Sequence, residues 1–332
     1  MKVLFIGGTG NISTPCTRLA LQKGIDVTVL NRGETQRHAL PEGARVLHCD
    51  IRQPAVVARV LDGEVFDVVV DWIAFTPQHI ENDLQLFAGK TKQFIFISSA
   101  SAYQSPTSRY IITESTPLQN PYWEYSRDKI ACEDRLMQAY RDSGFPITIV
   151  RPSHTYDTVI PVAVGNWDYT IADRMLRGKE IISHGDGNSL WTATHSDDFA
   201  KGFVGLLGNT PAIGHAFHIT SDEVLTWDQI YLTIADALGV EAKIVHIPSD
   251  FIAKFDSFTG DNLLGDKAGH GVFDNSKIKS FVPGFKATIP FREGIRRTLR
   301  WFDEDPTRKT VDEGSNDFID KCLVAYHKLG PV

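Results

Sequence analysis

A short apolar run that leads directly into glycines opens the chain and limits the folds available to it. Residues 3–6 form a continuous apolar stretch of the kind found in parallel strands buried on both faces. Gly7-Gly-Thr-Gly-Asn-Ile-Ser13 follows, and then a helical pattern that runs through Leu21. Glycines at such a turn allow a pyrophosphate to approach the backbone closely, with its charge at the helix N-terminus. A strand, a glycine turn and a helix in this order predict a dinucleotide-binding unit.

The second predicted strand, residues 26–30, bears on which dinucleotide is bound. It ends at Asn31-Arg32, about 20 positions past the glycines, where such a fold meets the adenosine ribose. An acid there would bind the 2′-hydroxyl and repel a 2′-phosphate. The neutral Asn31 beside Arg32 permits NAD or NADP and slightly favours NADP, although Arg32 also suits a solvated loop. A third strand at residues 45–49 ends in Asp50-Ile51, which we expect to border the adenine ring. The cofactor-binding residues predicted in these turns are Gly7, Gly8, Gly10, Asn11, Ile12, Asn31, Arg32, Asp50 and Ile51.

Strands and helices continue to alternate through the first 150 residues. This alternation predicts an α/β fold with a Rossmann-type, doubly wound parallel sheet. Beyond residue 151 the alternation loosens, and a smaller lobe closing over the sheet is the simplest interpretation. We expect a dinucleotide-binding domain at residues 1–155 and a smaller α/β substrate-binding lobe at residues 156–332, with some interleaving of the chain. The patterns that carry this prediction are strands at 66–70, 94–97 and 147–150, shorter strand-like runs at 180–183, 216–219 and 242–247, and helices at 77–87, 122–143, 168–176, 197–207, 227–238 and 292–303.

A tyrosine and a lysine four residues apart mark the candidate catalytic helix. Tyr125 and Lys129 lie on one face of that helix. An ammonium beside a tyrosine favours the phenolate, which matters because a reference pKa of about 10 is high for proton transfer at neutral pH. The spacing alone is weak, since many surface helices carry it by chance. Its support comes from Ser98-Ser-Ala-Ser101, which follows the strand at 94–97 and should face the cofactor.

Composition narrows the classes of function and the compartment. The 332 residues carry a net charge of −7, which argues against general affinity for nucleic acid. The four cysteines are scattered without metal-ligand spacing and indicate reduced thiols. No apolar run reaches about 18 residues and the N-terminus is unlike a signal peptide. We expect a soluble, cytoplasmic protein with no membrane span and no metal.

Six motifs in sequence order resemble the extended short-chain dehydrogenase/reductase family, in its NAD-dependent epimerase/dehydratase branch. The resemblance implies that Tyr125 is the general acid/base, that Lys129 holds the nicotinamide ribose, and that Ser99 binds the same substrate oxygen as Tyr125. Ser98 and Ser101 are the alternatives to Ser99 in this role. It also implies that Pro152 contacts the cofactor, and it implies a homodimer formed through helices 77–87 and 122–143. The motifs are Gly7-Gly-Thr-Gly10, Ser99 with Tyr103, Tyr125-Ser-Arg-Asp-Lys129, Arg151-Pro-Ser-His-Thr-Tyr156, Gly185-Asp-Gly187 with His195-Ser-Asp-Asp198, and Asp274-Asn-Ser-Lys277.

Departures from the family pattern constrain the substrate. Dehydratases of this branch place an Asp-Glu pair after the serine, and Ala100-Ser101 stands there instead. Trp191 stands where nucleotide-sugar enzymes commonly have an arginine for the diphosphate. Lys267 and Arg174 are the alternative phosphate-binding residues, with Arg174 interpreted as a surface helix residue. His195 is expected to orient a loop. The predicted substrate-binding residues are Ser99, Ser101, Tyr125, His154 and Trp191, with one or two of Trp72, Trp123, Trp167 and Trp191 at the ligand.

Three functions remain open on the sequence. The favoured one is an NAD(P)-dependent oxidoreductase or epimerase that acts on a hydroxyl or keto group of a sugar or sugar-like molecule. The second is an RNA-binding protein on the same fold, because the chain is also similar to the chloroplast stem-loop-binding branch of the family. The third is a cofactor-sensing regulator. The intact serine, tyrosine and lysine set argues against both non-catalytic alternatives.

Overall fold

The structure, a computed structural model, describes residues 1–34 and 38–330, so the last two residues of the predicted substrate lobe lie outside it. In the first part of the chain, strands and helices alternate. The elements there are β1 (Lys2–Ile6), α1 (Ser13–Gln22), β2 (Asp26–Asn31), β3 (Arg45–His48), α2 (Pro54–Val60), β4 (Phe66–Asp71), α3 (Pro77–Phe87), β5 (Thr91–Ile97), β6 (Ile111–Ile112), α4 (Glu124–Ser143) and β7 (Ile147–Arg151).

The second part is less regular and contains several two-stranded sheets. Its elements are β8 (His154–Tyr156), α5 (Thr170–Leu176), β9 (Glu180–His184), β10 (Leu190–Trp191), β11 (Ala193–His195), α6 (Ser196–Leu206), β12 (Ala216–His218), β13 (Leu225–Thr226), α7 (Trp227–Leu238), β14 (Lys243–Ile247), α8 (Ser249–Ile252), α9 (Ser257–Asn262), β15 (Val272–Phe273), α10 (Ser276–Phe281), α11 (Phe291–Asp303) and α12 (Glu313–His327).

Seven parallel strands form the central sheet in the order β12-β7-β5-β4-β1-β2-β3. The chain winds outward in both directions from β1, so the predicted doubly wound parallel sheet is confirmed. Side chains of β1 point alternately to the two faces: Val3 and Phe5 join the core beneath α1 and α6, whereas Leu4 and Ile6 join the core beneath α3 and α4. Burial on both faces explains why β1 is continuously apolar.

The second lobe has a separate core, but the chain crosses between the lobes. The lobe core is built around buried aromatic and aliphatic residues such as Trp227, Tyr231 and Phe302. β12 returns to the edge of the central sheet, and Phe199 and Phe203 of α6 pack in the same core as Val3. Residues 196–219 therefore belong spatially to the dinucleotide-binding part, beyond the boundary predicted at residue 155.

Some elements differ from the predicted pattern. The helix expected from residue 168 begins at Thr170, because the Asp168 carboxylate accepts a hydrogen bond from the Thr170 amide at 2.8 Å. Helix α9 continues into a π-helical turn, Leu263–Lys267, where we predicted neither. Across residues 1–34 and 38–330, none of the helices has the length and hydropathy needed to cross a bilayer.

Candidate active site

The glycine turn after β1 is shaped by backbone that only glycine adopts without strain. Gly7 and Gly8 have φ angles of +98° and +102°. A Cβ atom on Gly8 would lie 3.2 Å from the Val29 side chain, so a larger residue would also crowd the turn. Ser13 takes the third-glycine position, and its hydroxyl accepts a hydrogen bond from the Gly10 amide at 2.8 Å. This serine therefore ties the turn to the start of α1.

A cleft of about 750 Å³ runs along the carboxyl ends of the sheet strands from this turn. The Arg32 side chain at its far end pairs with Glu34 at 3.2 Å, and both are exposed. Asp50 accepts a hydrogen bond from the Arg52 amide at 2.9 Å. A turn with room for backbone-bound phosphates and a cleft of this size fit a dinucleotide. All the predicted cofactor residues line this cleft, namely Gly7, Gly8, Gly10, Asn11, Ile12, Asn31, Arg32, Asp50, Ile51, Lys129 and Pro152.

Lys129 lies on the floor of the cleft and is 1% exposed. Its ammonium donates hydrogen bonds to the carbonyl oxygens of Ala74 at 2.6 Å and Ile97 at 2.8 Å. It also lies 4.8 Å and 4.9 Å from the ring centroids of Phe75 and Phe96. Burial lowers the pKa of Lys129 to about 8. Because an ammonium has three donors, one remains for a group bound in the cleft.

Tyr125 and Ser99 both line the cleft where it continues into a smaller pocket. Burial raises the pKa of Tyr125 above its usual value, and a hydrogen bond with Ser99 opposes that rise. The Lys129 ammonium is 5.8 Å from the Tyr125 ring centroid. Ser99 Oγ lies 2.9 Å from Ser101 Oγ, which in turn accepts a hydrogen bond from Ser126 at 2.8 Å. The Ser99 side chain also accepts from the Ser101 amide, so it has a capping role as well.

A smaller pocket of about 230 Å³ continues from the cleft past Tyr125. Of the predicted substrate residues, Ser99, Ser101, Tyr125 and His154 line it. His154 is 4% exposed, its Nε2 has no hydrogen-bond partner, and burial followed by the charge of Lys267 holds its pKa well below the usual value. Hydroxyl groups and the His154 imidazole thus line one part of the pocket.

Trp191 differs from its prediction as a substrate-binding residue. It is 3% exposed and does not line the 230 Å³ pocket. Its indole N–H donates to the carbonyl oxygens of Lys267 at 3.1 Å and Gly269 at 2.9 Å, so it supports the wall behind His154. Trp123 and Trp167 line the pocket instead. Trp123 packs against Tyr125 with ring centroids 4.8 Å apart.

The interpretation of Arg174 as a surface residue is wrong. Its side chain is 1% exposed and donates to the Glu180 carbonyl, to Asn316 at 3.0 Å and to Asp320 at 2.6 Å. These contacts hold α5 against α12, away from the pocket. Lys267 does line the pocket, where Asn262 accepts its hydrogen bond and Asp266 lies 3.5 Å from it.

The sequence did not single out Asn262 and Asp266, which line the pocket, or Asn120, which supports it from behind. Asn120 is buried and donates to the carbonyl oxygens of Ser101 at 3.0 Å and Gly265 at 2.7 Å, joining the serine loop to the π-helical turn. Its Oδ1 accepts from the Trp123 amide at 3.0 Å, immediately before α4. An isolated Asn before a helix is an ordinary capping signal, so only the fold reveals this bridging role.

His195 lies outside both cavities. Its Nδ1 accepts a hydrogen bond from the Asp197 amide at 3.2 Å, at the beginning of α6. Its Nε2 lies 3.8 Å from Asp157. This placement is that of a helix-capping residue that orients the turn between β11 and α6.

Sequence and fold comparisons agree with this geometry. A sequence model of the NAD dependent epimerase/dehydratase family matches residues 3–219. The chain belongs to this family and is an NAD-dependent enzyme of the extended short-chain dehydrogenase/reductase type.

Individual relatives have low sequence identity to this chain. The chain is 26% identical to 2′-dehydrokanamycin reductase of Streptomyces kanamyceticus, over 76% of this chain and 71% of that protein. It is also 26% identical to the chloroplast stem-loop binding protein of 41 kDa b of Arabidopsis thaliana, over 96% of this chain and 84% of that protein. The fold is similar to that of an epimerase from Methanothermobacter thermautotrophicus, with a TM-score of 0.76, 19% identity, and coverage of 92% and 93% of the two chains.

Proposed function

We propose that the protein transfers a hydride between NAD(P) and a carbon bearing a hydroxyl or keto group in a sugar or sugar-like substrate. The observation that carries the proposal is that Ser99 and Tyr125 line both the dinucleotide cleft and the 230 Å³ pocket that continues from it. A bound NAD(P) supplies hydride acceptance and donation. Reductase relatives such as 2′-dehydrokanamycin reductase are consistent with this class of reaction.

The roles of the residues follow from their positions. Tyr125 gives a proton to the carbonyl oxygen of a keto substrate, or takes one from the hydroxyl of an alcohol. Ser99 donates to the same oxygen and keeps it next to Tyr125. Lys129 lines the cleft with one N–H left over, which would bind a nicotinamide ribose, and its charge would favour the tyrosinate. His154, neutral and buried, is available to hydrogen-bond another substrate oxygen.

Replacement of Tyr125 by Phe tests the proposal. It removes one oxygen that serves proton transfer and leaves the cleft unchanged, so turnover of a sugar panel should fall at least about a hundredfold. Cofactor affinity, followed by fluorescence of reduced NAD(P), should change less than about twofold. Full turnover by Tyr125→Phe would show that another group is the acid. Cofactor consumption distinguishes the two reaction types, because an epimerase shows no net turnover of added cofactor.

RNA binding is the second candidate, favoured by the similarity to the chloroplast stem-loop binding protein over 96% of this chain. The net charge of −7 opposes it. Filter binding at moderate salt provides the test. Tight RNA binding that survives Tyr125→Phe, with no cofactor retained, would place this function first.

A further inference from the structure

A further cavity of about 530 Å³, the outer cavity, adjoins the 230 Å³ pocket lined by Tyr125, which is the reacting pocket. The two share Trp167, Asn262 and Lys267, which form the neck between them. The reacting pocket, at about 230 Å³, is smaller than the roughly 300–1,000 Å³ usual for small-molecule sites. The pocket and the cavity together fall within that range. A substrate larger than one ring would therefore extend through the neck.

Aromatic side chains form much of the wall of the outer cavity. They are Trp167, Phe255, Phe258 and Phe318. Phe258 is 67% exposed and Phe255 is 39% exposed, so neither contributes much to a core. Trp167 is held in place because its indole N–H donates to the Val162 carbonyl at 3.0 Å. Aromatic faces held open at the mouth of a site suit the apolar faces of sugar rings or aromatic groups.

The charges around the two cavities do not suit a diphosphate. No arginine lines either cavity within the described ranges 1–34 and 38–330. The Lys267 ammonium at the neck is bound by Asn262 and lies 3.5 Å from the Asp266 carboxylate. Asp256 and Lys321 contribute one charge of each sign to the outer cavity. A phosphate group would lose water without gaining the bidentate, charge-assisted contacts that arginine provides.

We propose that the two cavities are subsites for one uncharged, two-ring glycoside. This inference rests on the proposed function and adds the substrate class. The reacting sugar ring occupies the pocket at Ser99, Tyr125 and His154. The second ring, a sugar or an aromatic aglycone, lies between Trp167, Phe258 and Phe318, with the glycosidic link at Lys267.

The experiment measures binding to the Tyr125→Phe holoenzyme, so that no turnover is needed. The probes are 4-nitrophenyl glycosides of the common hexoses, the methyl glycosides of the same hexoses, and the corresponding UDP-hexoses. We expect the preferred 4-nitrophenyl glycoside to bind about tenfold more tightly than its methyl counterpart, the effect of one aromatic stacking contact. Phe258→Ala should bring this ratio of affinities to about one and leave the affinity for the methyl glycoside unchanged. Tyr110→Ala, which truncates an aromatic residue that is 61% exposed and lines neither cavity, should preserve the ratio.

Several outcomes would overturn the proposal. They are tighter binding of a UDP-hexose than of its 4-nitrophenyl counterpart, a ratio unchanged by Phe258→Ala, and no binding by any 4-nitrophenyl glycoside. Failure of the proposed hydride transfer appears separately, as no cofactor-dependent reaction of the wild type with any sugar. The subsite can thus fail while the reaction stands, and the reaction can fail while the subsite stands.

Discussion

Arg32 and Glu34 together determine the charge at the end of the cleft where we propose that the adenosine ribose binds. Their ion pair is exposed on both sides, and pairs of this kind contribute about 0–1 kcal/mol. Arg32 would therefore lose little free energy if it left Glu34 to pair with a 2′-phosphate. The carboxylate of Glu34 nevertheless lines the cleft and repels that phosphate. The carboxylate of Glu34 therefore weakens the slight preference for NADP that Asn31-Arg32 predicts.

Glu34→Gln should raise the ratio of kcat/KM with NADP to that with NAD by about three- to tenfold, equivalent to about 1 kcal/mol. The substitution removes a negative charge and leaves Arg32 unpaired. Glu42→Gln makes the same change in net charge at an exposed position that does not line the cleft. An equal ratio in both variants would show that Arg32 does not recognise the ribose substituent.

Lys129 carries its charge in surroundings that disfavour it. Burial lowers its pKa from 10.5 to about 8 in the folded protein. Between these values the unfolded chain binds the proton and the folded chain does not, so the free energy of unfolding rises with pH. The burial of the ammonium therefore destabilises the fold most fully below pH 8.

The free energy of unfolding of the wild type, measured relative to that of Lys129→Met, should therefore rise with pH. From pH 8 to pH 10.5 the wild type should gain about 3 kcal/mol in free energy of unfolding relative to the variant. The carbonyls of Ala74 and Ile97, left without a donor, add an offset that does not vary with pH. Urea unfolding at four pH values measures the trend, and activity should be lost throughout. Parallel stability curves would show that the lysine is not buried as a cation.

The residues that the sequence could identify are those whose backbone or chemistry is restrictive. Gly7 and Gly8 are required by positive φ, and Ser99, Tyr125 and Lys129 follow from strand ends and helical spacing. The sequence did not reveal the surroundings of Trp191 and Arg174, because the residues that contact these two side chains lie far away along the chain. Trp191 is buried by the 267–269 segment and Arg174 by α12.

At the scale of elements, α4 is fixed to the sheet by a buried ion pair. Glu133 lies one turn beyond Lys129 and accepts two hydrogen bonds from the Arg151 guanidinium of β7, at 2.9 Å and 2.5 Å. Ser98 donates to the same carboxylate at 2.5 Å. Both charged side chains are at most 5% exposed. The pair thus links α4, β5 and β7, the three elements that place Tyr125, Ser99 and Pro152.

Glu133→Gln should lower the free energy of unfolding by about 3–5 kcal/mol, because it leaves the Arg151 charge buried without a counter-ion. Glu293→Gln provides the control, since it breaks an exposed i,i+4 pair with Arg297 worth about 0.5 kcal/mol. Denaturant unfolding at pH 7 measures both. A cost for Glu133→Gln as small as that of the control would show that the pair does not anchor α4.

The elements that periodicity predicted are the long ones, and all seven strands of the sheet lie within or near predicted runs. The short elements were missed for a physical reason. The π-helical turn at 263–267 is held by Asn120, which donates to the Gly265 carbonyl from 145 residues earlier in the chain. Because local sequence carries no signal for such contacts, the neck and outer cavity that α9 and this turn create could not be predicted.

At the scale of the whole molecule, the cofactor cleft joins the two lobes. Its walls include the glycine turn from the first lobe and Trp167 from the second. Asn11 connects them directly: its amide donates to the Thr155 carbonyl at 3.0 Å, and its Oδ1 accepts from the Thr158 amide at 3.3 Å. Since β12 also returns to the central sheet, the lobes should unfold as one unit.

Dinucleotide binding should therefore raise the unfolding temperature of both lobes together. A concentration one hundred times the Kd adds about 2.7 kcal/mol to the stability of the folded state, which corresponds to several degrees. Differential scanning calorimetry with and without NAD or NADP measures the shift, which should persist in Tyr125→Phe. Asn11→Ala should reduce the shift, because it removes the link between the glycine turn and residues 155–158. Two separate transitions, of which only one moves with cofactor, would show that the cleft belongs to the first lobe alone.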